Sequence, residues 1–203
     1  MNSQTILKHL SKLFPDAKCE LDYRNEFELL VAVVLSAQTT DQKVNKVTKV
    51  LFAEYPDAKS LAFASINRVF KIIKPLGLAN NKSKSITELS KMLYEKYDAV
   101  VPDSYDELIK LTGVGRKSAN VVLMEAFRIP TIPVDTHVER VSKRLGLVEK
   151  SATVLEVENK LMNILPKKTW IQTHQLFIHF GRYLCKAIKP ECDDCPFISI
   201  CQK

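Results

Sequence analysis

Four of the five cysteines in this 203-residue chain fall within its last nineteen residues, as Cys185-x6-Cys192-x2-Cys195-x5-Cys201. In a reducing compartment, clustered thiols are metal ligands more often than disulfide partners. Four thiolates suffice for one zinc ion or one cubic iron–sulfur cluster. Structural zinc sites usually combine two C-x2-C pairs, whereas this tail has a single one. Cys19 stands apart and reads as a small buried apolar residue.

A second stretch with chemical potential is LTGVGRKSANVV, residues 111–122. The chain owns five glycines, and two of them, Gly113 and Gly115, flank Val114 directly before Arg116 and Lys117. Such a turn points successive backbone N–H groups outward, and it sits at the start of a helix whose dipole favours anions. Gly113, Val114, Gly115 and Arg116 can therefore hold a phosphate through the backbone. The spacing lacks the longer GxxxxGK[ST] loop of nucleotide hydrolases, and a helix, not a strand, precedes it. Taken alone, the stretch is equally a plain helix connection with a glycine cap, and Lys117 a solvated helix lysine. Asp135, in PVDTH, precedes a helix, where aspartate is an ordinary N-cap. Thr136 with Glu139 reads as a separate capping box, which would leave Asp135 free to point into a cleft. His137 reads as a packing or hydrogen-bonding residue.

The elements that must carry these groups are helical almost throughout. Period-3.6 patterns recur from end to end, and no alternating hairpin interrupts them. Asn25 and Glu28 form a capping box for a buried segment, Phe27 to Ala37, although its LLVAVVL run would also suit a strand. Val44, Val47, Val50 and Leu51 make the next apolar stripe; Ile66, Val69, Phe70 and Ile73 another; Ile86, Leu89 and Leu93 a third. Ser104 and Glu107 cap a short helix that must stop at Gly113. Val138, Val141 and Leu145 line a helix ended by Gly146, and two more helices are expected over 152–165 and 169–184. The fold class is all-α.

With 46% hydrophobic residues the chain can bury a core without disulfides. Its longest apolar run is far short of a membrane span, and no signal peptide opens it, so a cytoplasmic protein is expected. The net charge of +7 favours a polyanionic partner.

The hairpin LTGVGRKSANVV followed by PVDTH, together with LLVAVVLSAQTTDQKVNKV and the cysteine tail, resembles the endonuclease III family of DNA base-excision glycosylases. The similarity covers nearly the whole chain, and the order and separation of the four features agree. It implies two helical lobes with a DNA cleft between them: residues 19–130, and residues 1–18 with 131–203. It implies that Lys117 is the nucleophile and Asp135 its partner. A primary amine suits this chemistry, because it can attack the sugar C1′ and form a Schiff base. An ordinary lysine is almost wholly protonated at pH 7, so such an amine needs a sheltered setting.

The family also implies that Gln38 and Leu78 fill the hole left by an extruded nucleotide, that Asp41 lies near the lesion pocket, and that the 6-2-5 cysteine spacing holds a 4Fe-4S cluster. Lys186 and Lys189, in the first cysteine loop, would then meet DNA phosphates. The expected partner is double-stranded DNA with damaged bases or abasic sites, bound by a nucleoid-associated monomer. Three positions depart from the family pattern: Thr112 and Glu26 stand where proline is usual, and Ala79 where an aromatic is. The implied activity is a bifunctional glycosylase and AP lyase for oxidised pyrimidines. Its rivals are a monofunctional mismatch glycosylase and a non-catalytic DNA-binding or redox-sensing protein.

Overall fold

The computed structural model describes residues 2–203, and among them every regular element is helical, as expected. In chain order these are α1 (Ser3–Leu13), α2 (Glu26–Leu35), α3 (Asp41–Glu54), α4 (Ala58–Ala62), α5 (Ile66–Ile73), α6 (Ala79–Lys96), α7 (Tyr105–Leu108), α8 (Arg116–Ala126), α9 (Thr136–Arg144), α10 (Val154–Ile164) and α11 (Trp170–Tyr183). Short 3₁₀ turns occupy Lys167–Thr169 and Ile198–Ile200. The chain divides into two compact units: Glu20–Ile129, and Pro130–Lys203 with the N-terminal segment up to Cys19. Among the described residues no helix is long and apolar enough to cross a membrane.

The 20–129 unit is built around α2, whose run Phe27 to Leu35 is buried on every side. A helix apolar all round must be enclosed, and α3, α6 and α8 pack against it. The cap decides helix over strand here: the Asn25 side chain accepts the Glu28 N–H at 2.9 Å. The other half of the expected box is not made. Glu28 instead accepts the backbone N–H of Arg24 at 2.8 Å and pairs with its guanidinium. On α3 the stripe is also corrected: Val44, Val47 and Leu51 are buried, but Val50 is 53% exposed and Thr48 takes its place inward. Ile86, Leu89 and Leu93 of α6 are fully buried, as their spacing predicts.

In the other unit, α1, α9, α10 and α11 share one core, to which Ile6, Leu10, Val138, Val141, Val157, Leu161, Phe177 and Phe180 contribute. Gly146, at φ +67, ends the α9 segment in a left-handed turn closed by the Leu147 N–H on Ser142 O at 3.0 Å. Phe197, between two tail cysteines, is fully buried. Its ring stands edge-on to Phe180, with centroids 5.4 Å apart. One aromatic thus fastens the cysteine tail to the core.

Candidate active site

Lys117 sits in the first turn of α8, partly buried, directly after the glycine turn. The two glycines differ in what the fold asks of them. Gly113 adopts φ +82, and a Cβ there would lie 3.1 Å from Ser85 Cβ and 3.3 Å from Val34 Cγ1. The left-handed conformation strains any side chain there, and Ser85 and Val34 would have to give way slightly to admit one. Gly115 is extended (φ −99, ψ 179), and a Cβ would meet nothing within 4 Å. The internal packing of the chain does not require glycine there.

The turn also corrects one expectation. Val114 is buried and its N–H donates inward to Leu111 O at 3.1 Å, so its amide does not join an outward row. Gly115 is the N-cap of α8, at the end of the helix where the first N–H groups have no intrahelical acceptor. The Arg116 guanidinium lies over the Tyr105 ring, 5.7 Å from its centroid. In the preceding α7, Ser104 makes no side-chain cap; Glu107 accepts instead from Lys110 at 2.6 Å and from the Tyr97 hydroxyl at 2.8 Å.

Asp135 is the N-cap of α9, its Oδ1 accepting the N–H groups of His137 and Val138, both at 2.9 Å. The expected Thr136 box is therefore not the cap, and Glu139 pairs with Lys143 at 2.6 Å instead. Capping still orients the carboxylate: two short bonds fix one oxygen at the helix's positive end. Beside it, burial pushes the His137 imidazole below its usual pKa, against the opposing pull of Asp135.

Gln38 and Leu78 share an unusual backbone. Both are non-glycine residues in the left-handed region, at φ +54 and +59, and Leu78 is 55% exposed. A left-handed leucine costs about 1–2 kcal/mol, and an exposed one recovers little by burial. Gly77, directly before Leu78, is not the left-handed residue of this turn. Asp41 is the first residue of α3, where the dipole favours an acid.

Cys185 is buried and Cys192, Cys195 and Cys201 partly so. Two arginines that sequence reasoning missed hold the first cysteine loop. Arg140 donates to the carbonyls of Gly181 at 2.8 Å and Cys185 at 3.1 Å. Arg144 donates to the Lys186 carbonyl at 2.8 Å and reaches Cys185 Sγ at 3.4 Å. A donor beside the sulfur suits a thiolate ligand. Burial, then the neighbouring thiols of Cys185, Cys201 and Cys192, push the Cys195 thiol up, so the four groups share one locality. Among the described residues no three His, Cys, Asp or Glu side chains converge tightly enough for a single ion. A four-iron cube takes one thiolate at each of four corners, the number of donors these cysteines supply. Lys186 pairs with Glu191 at 2.7 Å, and Lys189 is exposed at φ +50.

Comparison with known proteins settles the family. Residues 31–167 match the model of the HhH-GPD superfamily base excision DNA repair protein. Endonuclease III of Bacillus subtilis is 51% identical over 197 residues, covering 97% of this chain and 90% of that protein. The chain belongs to the endonuclease III family. Endonuclease III of Rickettsia conorii is 48% identical over 196 residues, 97% of this chain and 93% of that protein. Among solved structures, a trapped endonuclease III–DNA covalent intermediate superposes with a TM-score of 0.95 at 51% identity, covering 100% of this chain and 96% of that one. A thermostable thymine-DNA glycosylase, at 20% identity and a TM-score of 0.88, shares the fold, with 98% of this chain and 94% of that one covered. With the endonuclease III family comes the enzyme class: the chain is a base excision repair DNA glycosylase and AP lyase.

Proposed function

We propose that the chain acts on double-stranded DNA carrying oxidised pyrimidines or abasic sites, with Lys117 as nucleophile. The Lys117 amine attacks C1′ of the extruded nucleotide, the bond from C1′ to the base breaks, and the base leaves with a proton. The sugar ring opens to a Schiff base between C1′ and the lysine nitrogen. Loss of a C2′ proton then expels the 3′ oxygen by β-elimination, and water releases the enzyme. Asp135, held by its own helix cap, stabilises the positive charge on the sugar or takes the amine proton. Gln38 and Leu78 fill the vacated stack. Asp41 lies beside the lesion.

Gly115 carries this reading: an open, extended glycine that the chain's own packing does not need, directly before Arg116 and Lys117, leaves room for a DNA phosphate against the backbone. Gly113, Val114 and Arg116 shape the same grip. Cys185, Cys192, Cys195 and Cys201 would hold a 4Fe-4S cluster that stabilises the tail, presenting Lys186 and Lys189 to phosphates. The protein works as a nucleoid-associated monomer.

Borohydride present during incubation with thymine-glycol duplex should trap a covalent complex, and Lys117→Gln should abolish trapping while keeping DNA binding. DNA binding without any trapped complex would instead support a non-catalytic module. Base release without strand cleavage would point to a monofunctional glycosylase.

A further inference from the structure

Lys82, in the first turn of α6, is 5% exposed. Burial pushes its ammonium below the usual lysine pKa, with no carboxylate contributing. Its one side-chain hydrogen bond among the described residues goes to Thr39 Oγ1 at 2.8 Å. Burying a cation without an acid opposes folding, and an apolar side chain of similar length would fill the space more favourably. Stability therefore does not explain Lys82.

Its partners do. Thr39 follows Gln38, and its hydroxyl in turn donates to Ala37 O at 3.3 Å, so the residues on both sides of the left-handed Gln38 are tied to the Lys82 ammonium. The backbone N–H of Lys82 closes the first turn of α6 on Leu78 O at 3.0 Å, at the other left-handed residue. One residue thus reaches both loops. We infer that Lys82 is a positioning residue that couples the Gln38 loop to the Leu78 loop, so that the two side chains enter the DNA stack in register. This rests on the reading of Gln38 and Leu78 as the gap-filling pair.

The test compares Lys82→Met, Thr39→Val, their combination and Thr39→Ser on two substrates. One is a thymine-glycol duplex with 2-aminopurine opposite the lesion; the other is a single-stranded oligonucleotide with an abasic site, where no stack must be filled. Lys82→Met and Thr39→Val should each slow single-turnover base release from duplex about tenfold, lower the 2-aminopurine signal, and leave single-strand borohydride trapping within about twofold. The double variant should be no worse than the weaker single one, because both remove the same link. Thr39→Ser, which keeps the hydroxyl, should restore the duplex rate. Unchanged duplex rates, equal losses on both substrates, or additive losses would overturn the inference. Where Lys82→Met fails to fold, Thr39→Val against Thr39→Ser decides. A wild-type protein that traps on neither substrate would overturn the glycosylase reading instead.

Discussion

At the scale of the residue, Gly113 and Gly115 separate demands that the sequence runs together. Replacing Gly113 by Ala forces a Cβ into a left-handed residue against Ser85 and Val34, and should lower unfolding free energy by about 1–3 kcal/mol in chemical denaturation. Gly115→Ser meets open space at an extended N-cap, a position serine favours, so stability should stay within about 0.5 kcal/mol. Its affinity for duplex should nevertheless fall, by about tenfold in a titration, if a phosphate occupies that space. Asp135 invites the same separation of fold from chemistry. Asp135→Asn keeps an oxygen for the two cap bonds but removes the charge, so stability should hold while borohydride trapping is lost. Asp135→Ala should lose trapping and about 1 kcal/mol of stability together. Trapping by Asp135→Asn at the wild-type rate would leave the carboxylate a cap and nothing more.

At the scale of the element, α9 starts from the Asp135 cap and holds the cysteine loop from its later turns. Its first residue follows Asp135, and its later turns carry Arg140 and Arg144. Holding the loop requires close packing on α11, and Gly181 provides it, because a Cβ there would lie 3.0 Å from His137 Cβ and 3.2 Å from Arg140 Nη2. Gly181→Ala should destabilise the protein by about 1–3 kcal/mol and displace Arg140 from the Cys185 carbonyl; denaturation melts and visible absorbance of the purified protein check both. The half-buried His137 adds a pH dependence. Its folded pKa lies below the ordinary 6.5, so the unfolded chain binds the extra proton first. The stability it contributes is complete above pH 6.5 and is lost as pH falls toward the lower folded value. Denaturation midpoints measured between pH 7.5 and 5 should fall, and His137→Asn should flatten that slope.

The helices themselves were legible because their periodicity is strong, but the caps were only partly so. Asn25 caps as its type predicts, while Glu28 bonds to Arg24 instead, Ser104 stands at its N-cap without a side-chain cap bond, and Thr136 yields the cap to Asp135; complete boxes form at Asp57 with Ser60 and at Thr153 with Glu156. A box pattern specifies which groups can bond, and competing side chains decide which do. Arg140 and Arg144 were illegible for a related reason: two cations four apart on an amphipathic helix read as a solvated face, yet their acceptors are carbonyls some forty positions away. Lys82 likewise meets a hydroxyl 43 positions back.

At the scale of the whole molecule, a net charge of +7 makes DNA affinity an ionic-strength effect before it is a chemical one. Each phosphate neutralised adds about 0.9 to the slope of log affinity against log salt. The two tail lysines should contribute differently. Lys189 is exposed, so Lys189→Ala should weaken binding for all sequences alike and reduce the slope by about 0.9. Lys186 is held at 2.7 Å by Glu191, and both side chains are about half exposed, which makes the pair weak in water and easily exchanged for a phosphate. That exchange still opposes binding, because Glu191 must be left without its partner beside a polyanion. Glu191→Gln should therefore tighten non-specific duplex binding at low salt, and the gain should shrink as the screening length falls toward about 3 Å near 1 M. Fluorescence anisotropy of a labelled, undamaged duplex across a salt series measures both effects. If Glu191→Gln and wild type give the same curve while Lys189→Ala differs, the phosphate contact belongs to Lys189 alone, and the Lys186–Glu191 pair is an internal brace of the cysteine loop.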